Sequence, residues 1–314
     1  QPLRAYNVTP NALLINFKVV RYWFEPDGTK VEVRVDPPLE NLQVNNRLSV
    51  RQGYCGGYQR GVAVSMNDAN DTVTFEGRFP SGCKRYAMDR TVLSHNEFAY
   101  GFFQALWRES GGTFEGGWQN VLTDDLVNEE QAEPLLTFES EPLADLISRV
   151  NKHSNNVRAR QLLSTLSAEQ FGPPGTESGG REVIAQWLAD KKLDSGNLTL
   201  ANGAGLSRES RTTAADMASL LRFAWRQPYM PEFLASMALS GLDGTLLRRF
   251  RSGELIGKAH LKTGSLDHVT AIAGYLQARS GRRFIVVAMQ SYEDIHRGFG
   301  EEVQEALLRW LYEQ

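Results

Sequence analysis

The sequence predicts an α+β protein in two parts. A β-rich domain over residues 1–115 is followed, over residues 116–314, by a domain whose helices flank an antiparallel sheet. Three observations carry this prediction. Residues 12–79 hold short apolar or alternating runs broken by turn residues, the period-2 signature of strands. From residue 143 apolar side chains recur instead at i, i+3, i+4 and i+7, the helical spacing. Near the end, two strand-like runs at 271–278 and 283–289 are joined by Arg279-Ser280-Gly281-Arg282, a hairpin turn containing Gly. Helices, then antiparallel strands, then a closing helix give α+β packing rather than a doubly wound sheet. The 314-residue length agrees with two domains, because single cores stop growing near about 250–300 residues.

Composition removes several function classes. Lys and Arg number 34 against 37 Asp and Glu, a net charge of -3, so no basic excess is available for nucleic acid or an anionic membrane surface. Apolar residues at 41% and charged residues at 23% are those of a folded globular chain rather than a disordered one. The longest apolar runs, such as 284–289, fall well short of the roughly 20 residues that span a bilayer. The chain opens Gln1-Pro2-Leu3-Arg4 with neither an initiator Met nor an apolar leader, and is read as processed or as a piece of something longer. Cys55 and Cys83 are too few for a zinc site or a disulfide scaffold, and make either one disulfide or two unrelated thiols.

The elements follow in order. In the first domain strands are expected at 12–17, 31–35 and 72–77, separated by Pro26-Asp27-Gly28, Pro37-Pro38 and Asn67-Asp68. A helix is expected over 96–107, and the glycine pairs at 111–112 and 116–117 mark the boundary. Leu143, Leu146, Ile147 and Val150 form one face of a helix with Ser140 as N-cap and Pro142 in its first turn, ending near Asn151. A second helix runs through Leu162, Leu163 and Leu166. Lys152-His153-Ser154-Asn155-Asn156 is left at the junction, where polar side chains can face a cleft. Further helices are read at 183–188, after a Gly/Pro-rich loop at 172–180, and at 217–225. Residues 259–263 alternate as one more strand, and Val303, Ala306, Leu307, Trp310 and Leu311 close the chain at helical spacing.

The chemistry is narrowed by elimination. His95, His153, His260, His268 and His296 form no His-Glu-x-x-His or other short ligand cluster, so no metal is expected. The glycines at 172–180 and 203–205 lack the strand-to-helix context of a phosphate loop, so no nucleotide and no other cofactor is expected either. What remains is Ser154-Asn155-Asn156 between two helices and, 108 residues later, Lys262-Thr263-Gly264 on a strand that leads into the hairpin. Acyl transfer from a peptide that ends in a free carboxylate needs a cation and hydroxyls to hold that carboxylate. It also needs backbone N–H groups for the oxyanion and a proton relay to the leaving amine. Lys262, Thr263 and Ser265 on a strand edge supply the first two, and Ser154 the relay.

Residues 152–156, Asn202-Gly203-Ala204-Gly205-Leu206-Ser207-Arg208 with Arg211 and Thr212, Gly241-Leu242-Asp243-Gly244-Thr245-Leu246, and Leu261-Lys262-Thr263-Gly264-Ser265-Leu266 with Ala273-Gly274-Tyr275 stand in one order. In these four blocks the chain resembles the D-alanyl-D-alanine carboxypeptidase/endopeptidase family, the class C low-molecular-mass penicillin-binding proteins. The resemblance covers the C-terminal two-thirds closely and residues 3–88 more loosely. It implies a penicillin-binding, serine β-lactamase-like catalytic domain with an inserted accessory β-rich domain. It further implies cleavage of peptidoglycan stem peptides through a serine acyl-enzyme, binding of β-lactams, and a place in the periplasm or outside the cytoplasm. The same resemblance gives Ser154 the proton relay, Asn156 the substrate amide carbonyl, Lys262 and Thr263 the carboxylate, Gly264 a substrate-binding position, and the Ser265 N–H half of the oxyanion hole. In such a compartment a Cys55 to Cys83 disulfide is expected.

Two departures stand out. Asn202 and Ala204 replace the family's usual Asp and Ser, which puts one loop hydrogen bond in question. The family's nucleophile lies in Ser-x-x-Lys at a helix start, and the one match is Ser81-Gly82-Cys83-Lys84, behind a strand and Pro80 and with no apolar periodicity after it. Ser81 is therefore read as a chance match, and the nucleophile as absent from these 314 residues. The competing readings are a non-catalytic peptidoglycan-binding or scaffold protein and, last, a β-lactamase-like hydrolase using Ser81.

Overall fold

The computed structural model describes residues 5–57, 61–120, 136–193, 196–250 and 253–314. Residues 1–4, at the start of the looser resemblance, lie outside them. The chain divides into two units, Gln1–Thr137 and Phe138–Gln314.

Alternation in the first unit builds a six-stranded sheet from β1 (Val19–Asp27), β2 (Lys30–Asp36), β3 (Gln43–Arg51), β4 (Val62–Met66), β5 (Thr72–Pro80) and β6 (Tyr86–Thr91), in the order β4-β5-β3-β2-β1-β6. Among the described strands of this sheet only β3 and β5 run parallel. Val20, Tyr22 and Phe24 of β1 bury against Val73, Phe75 and Phe79 of β5, with Phe75 edge-on to Tyr22 and Phe24 at 4.9 and 5.0 Å. Helix α1 (His95–Glu109) starts at a capping box in which the Ser94 hydroxyl accepts from Glu97 N–H and the Glu97 carboxylate accepts from Ser94 N–H. It buries Phe98, Gly101 and Ala105. A Cβ at Gly101 would lie 1.8 Å from Asn41 Oδ1, so any larger residue there would have to displace the Asn41 side chain. Cys55 and Cys83 form a disulfide between the segments that follow β3 and β5.

Two points depart from the sequence expectation here. Residues 12–17 form no strand: Asn16, Phe17 and Lys18 take left-handed φ of 47°, 52° and 55°, which no extended chain tolerates, and pairing begins at Val19. Strands β3, β4 and β6 were not anticipated. Phe114 and Trp118 pack on Tyr100, whose hydroxyl donates to Gly116 O at 2.6 Å, within the first unit.

The second unit holds α2 (Leu143–His153), α3 (Asn156–Phe171), α4 (Glu177–Asp190), α5 (Ala214–Trp225), α6 (Met230–Ser236) and α7 (Phe299–Tyr312) around an antiparallel sheet. That sheet comprises β7 (Ala238–Leu239), β8 (Ala259–Leu266), β9 (Val269–Gln277) and β10 (Arg283–Ser291), in the order β10-β9-β8-β7. Strand alternation gives it two apolar faces. Leu261, Ile272, Leu276 and Val286 pack with Leu308 of α7, while Tyr275, Ala273 and Val287 pack with Leu221 of α5 and Phe233 of α6. Ser140 does not cap α2. Pro142 occupies the cap position, and the Ser140 hydroxyl donates to Glu141 O instead. Helix α4 starts inside the expected 172–180 loop, because Thr176 Oγ1 accepts from Gly179 N–H and begins it there.

Candidate active site

Ser154 stands where α2 stops and α3 begins. It takes a left-handed conformation, φ 54° and ψ 48°, and its N–H closes α2 on Val150 O. An L residue adopts this at a cost of about 1–2 kcal/mol, the kind of strain that surrounding structure must over-determine. Asn155 then caps α3, its Oδ1 accepting from Arg158 N–H at 3.0 Å, and Asn156 is the first residue of that helix. The three residues therefore have different positions: Ser154 at the corner, Asn155 committed to the backbone, and Asn156 half-buried with no side-chain hydrogen bond among the described residues.

The strand arm is β8. It pairs with β9 along its whole length, Lys262 opposite Ala273 and Ser265 opposite Thr270. Its other edge is covered by β7 only at His260 and Leu261. From Lys262 to Leu266 that edge is open among the described residues, and Gly264 and Ser265 are exposed. Leu261 points into the α7 core, so His260 and Lys262 point to the opposite face.

The two arms meet at one bond. Lys262 Nζ donates to Ser154 Oγ at 2.9 Å and to Thr263 O at 2.7 Å. An ammonium has three donors, so one remains uncommitted among the described residues. The Ser154 oxygen is taken as acceptor, which leaves its own proton free to donate. Burial lowers the Lys262 pKa, and no neighbouring charge figures among the causes. The Thr263 hydroxyl donates to Thr245 Oγ1 at 2.8 Å. Burial also lowers the pKa of His260, whose Nδ1 is buried without a hydrogen-bond partner among the described residues.

The loop at 202–208 keeps its internal bonds despite its departures. Asn202 Oδ1 accepts from Ala204 N–H and its Nδ2 donates to Leu206 O, both at 3.1 Å. An aspartate could make the first bond only. Arg208 Nη1 donates to Asp267 O at 2.8 Å, tying this loop to the β8–β9 turn.

Ser81 lies elsewhere, in the turn after β5, where its hydroxyl donates to Gln52 Oε1 at 3.1 Å and Lys84 is exposed; no helix starts there. The histidines need a correction, since His268, Asp294 and His296 converge with ligand atoms within 4.8 Å. They suit a metal poorly. His268 Nδ1 accepts Asp294 N–H and His296 Nδ1 accepts His268 N–H, whereas an imidazole that binds metal through Nε2 needs Nδ1 to donate. Sequence reasoning also missed the ion pair of Lys152 Nζ with Asp243 Oδ2 at 2.5 Å and the Thr245 contact. Both Asp243 and Thr245 stand in the quoted 241–246 block, which carried no role.

The chain matches the D-Ala-D-Ala carboxypeptidase 3 (S13) family over residues 3–314. It is 28% identical over 272 residues to a D-alanyl-D-alanine carboxypeptidase of an Actinomadura species, covering 81% of this chain and 50% of that protein. To the D-alanyl-D-alanine carboxypeptidase DacB of Haemophilus influenzae it is 26% identical over 220 residues, covering 69% and 45%. The chain thus spans about half the length of these curated relatives. The crystal structure of penicillin binding protein 4 (dacB) from Haemophilus influenzae superposes with a TM-score of 0.80 at 22% identity, covering 99% of this chain and 70% of that one, so the fold is that of a penicillin-binding protein. With the family matched along nearly all of its length, the chain belongs to the D-Ala-D-Ala carboxypeptidase 3 (S13) family.

Proposed function

We propose that the protein is a serine-type D-alanyl-D-alanine carboxypeptidase/endopeptidase that cleaves peptidoglycan stem peptides outside the cytoplasm and is acylated by β-lactams. The observation that carries this reading is Lys262, a half-buried cation bonded to a hydroxyl and a carbonyl with no carboxylate partner among the described residues. A desolvated cation without an anion is costly, and the C-terminal carboxylate of a D-alanyl peptide or the carboxylate of a penicillin supplies the anion. The Cys55–Cys83 disulfide supports an oxidising compartment. No helix of the described residues is long and apolar enough to cross a membrane.

In this reading a serine outside these 314 residues, carried by Ser-x-x-Lys at a helix start, attacks the carbonyl of the penultimate D-alanine. A C–O ester bond forms and the C–N bond breaks. The proton released by the attacking serine passes to the Lys of its own Ser-x-x-Lys and, through the Ser154 hydroxyl, to the departing D-alanine amine, while Lys262 stays charged and holds Ser154 in place. Asn156 holds the amide carbonyl of the substrate, which lies along the open β8 edge beside Gly264. Lys262 and Thr263 hold the carboxylate, and the Ser265 N–H shares the oxyanion. Water then hydrolyses the ester.

The test is covalent labelling with fluorescent penicillin. The full-length protein is labelled on the Ser-x-x-Lys serine, and the 314-residue chain is not labelled, because an unactivated hydroxyl is a weak nucleophile. Labelling of the short chain that Ser81→Ala abolishes would move the nucleophile to Ser81. A full-length protein that is never labelled would make this a non-catalytic peptidoglycan-binding member of the family.

A further inference from the structure

The turn at 243–245 touches both arms of the site. On one side Asp243 Oδ2 accepts from Lys152 Nζ, and its Oδ1 accepts from Leu239 N–H at 2.7 Å. Burial pushes the Asp243 carboxyl up, but the bonds from Lys152 and Leu239 and the Lys152 charge outweigh it and hold the group below its ordinary value. Gly244, at φ +54°, lays its backbone against α2: a Cβ there would sit 2.6 Å from Lys152 O. Lys152 is two residues before Ser154. On the other side Thr245 meets the Thr263 hydroxyl, and Leu246, fully buried, anchors the turn in the α7 core.

We propose that this turn is a positioning element. Asp243, acting through Lys152, fixes the end of α2 and so sets Ser154 Oγ against Lys262 Nζ. Thr245 sets the Thr263 hydroxyl. The proposal rests on the function given above, in which Thr263 donates to the substrate carboxylate. Once its proton is turned to that carboxylate, Thr263 Oγ1 is an acceptor, and Thr245 changes from acceptor to donor. The two hydroxyls then form a chain in which each bond polarises the next. A hydroxyl can make this reversal and a methyl cannot. In this proposal Asp243 and Thr245 act through Lys152 and Thr263 rather than on the substrate itself.

In the full-length protein, Thr245→Val lowers the second-order rate of acylation by fluorescent penicillin about tenfold, while Thr245→Ser stays within about twofold. Both keep an unfolding midpoint within about 2 °C of the parent. Asp243→Asn, which retains an acceptor for Leu239 N–H, lowers the rate by a similar factor, and adding Lys152→Met costs nothing more. A separate measurement needs no catalysis. In the 314-residue chain, trace acetylation of Lys262 by acetic anhydride, read by peptide mass spectrometry, rises about fivefold in Asp243→Asn, the equivalent of one hydrogen bond released. Parental acylation rates in Thr245→Val and Asp243→Asn, or equal losses for Val and Ser at 245, overturn the positioning role. If the unsubstituted full-length protein is not acylated, the functional reading fails instead, and the Lys262 labelling alone decides: a rise supports the turn's role and no change overturns it.

Discussion

Two cations on two sheets show how differently this molecule uses charge. Arg21 stands on the outer face of β1 and forks onto Asp89 of β6 through Nε and Nη2 at 2.7 and 2.9 Å, with both side chains well exposed. Arg47 with Glu76 and Arg85 with Glu25 repeat the arrangement across that sheet. Lys262 of β8 is half-buried, and its partners are a hydroxyl and a carbonyl. The first sheet solvates its charges and neutralises them with each other. The second holds a desolvated charge with no carboxylate partner among the described residues, on a strand whose neighbouring backbone edge is open there. Charge alone is therefore no guide to a site in this chain. Charge without an internal counter-ion is.

The comparison breaks first at Lys262. In the full-length protein Lys262→Ala slows acylation by fluorescent penicillin a hundredfold or more, about 2.7–4 kcal/mol, the scale of losing one transition-state contact. Stability moves the other way with pH. The folded pKa of Lys262 lies below the ordinary value of 10.5 that applies to the unfolded chain, so between the two the unfolded state holds more protons. The penalty of the buried ammonium is full below that window and fades as pH rises through it. Hydrogen exchange of β8 and β9 amides is expected to show Lys262→Met more protected than the parent near neutral pH, with the gap closing toward 10.5. A parent as protected as Lys262→Met at neutral pH would show that Lys262 is not strained by burial, and the contrast with Arg21 would fall.

The next prediction sharpens the separation of the units. The Cys55–Cys83 bond closes a loop across 28 residues of the first unit. Its loss in Cys55→Ser/Cys83→Ser is expected to cost about 3 kcal/mol of that unit's stability. Exchange protection of β1 and β5 should fall while that of β8 and β9 stays as it was. A parallel fall in both would mean that the units unfold as one.

Much of this was legible in the sequence, for reasons that also explain what was not. The terminal hairpin, α5 and α7 were readable because their apolar periods are unbroken. Ser154 and Lys262 could be singled out because each sits in a short triplet, but the bond between them was not anticipated. The start of α4 was hidden because Gly179 and Gly180 read as helix breakers. They are instead where α4 comes close to α3, a Cβ at Gly180 lying 2.0 Å from Leu163 O. The Lys152–Asp243 pair spans 91 residues, and the His268–His296 approach depends on a backbone turn, so neither leaves a local pattern. Ser140 carried the right chemistry for a cap, but Pro142 already had the extended backbone the cap needs.

The smallest expected effect tests the other half of the comparison. Arg21 and Asp89 have side chains 47% and 42% exposed, so solvent screens their attraction and most of the pair's Coulomb energy is already available from water. The Asp89 hydrogen bond and charge raise the Arg21 pKa, but a group so open to water converts little of that into stability. A double-mutant cycle of Arg21→Ala and Asp89→Ala, read by denaturant unfolding of the first unit, is expected to give a coupling below about 0.5 kcal/mol that shrinks further in 1 M salt. The fork geometry is the one feature that could raise it, since two parallel bonds restrict both side chains at once. A coupling above about 1.5 kcal/mol that survives salt would mean that the outer face of the first sheet holds its strands together through charge. The two cations would then differ in partner but not in importance.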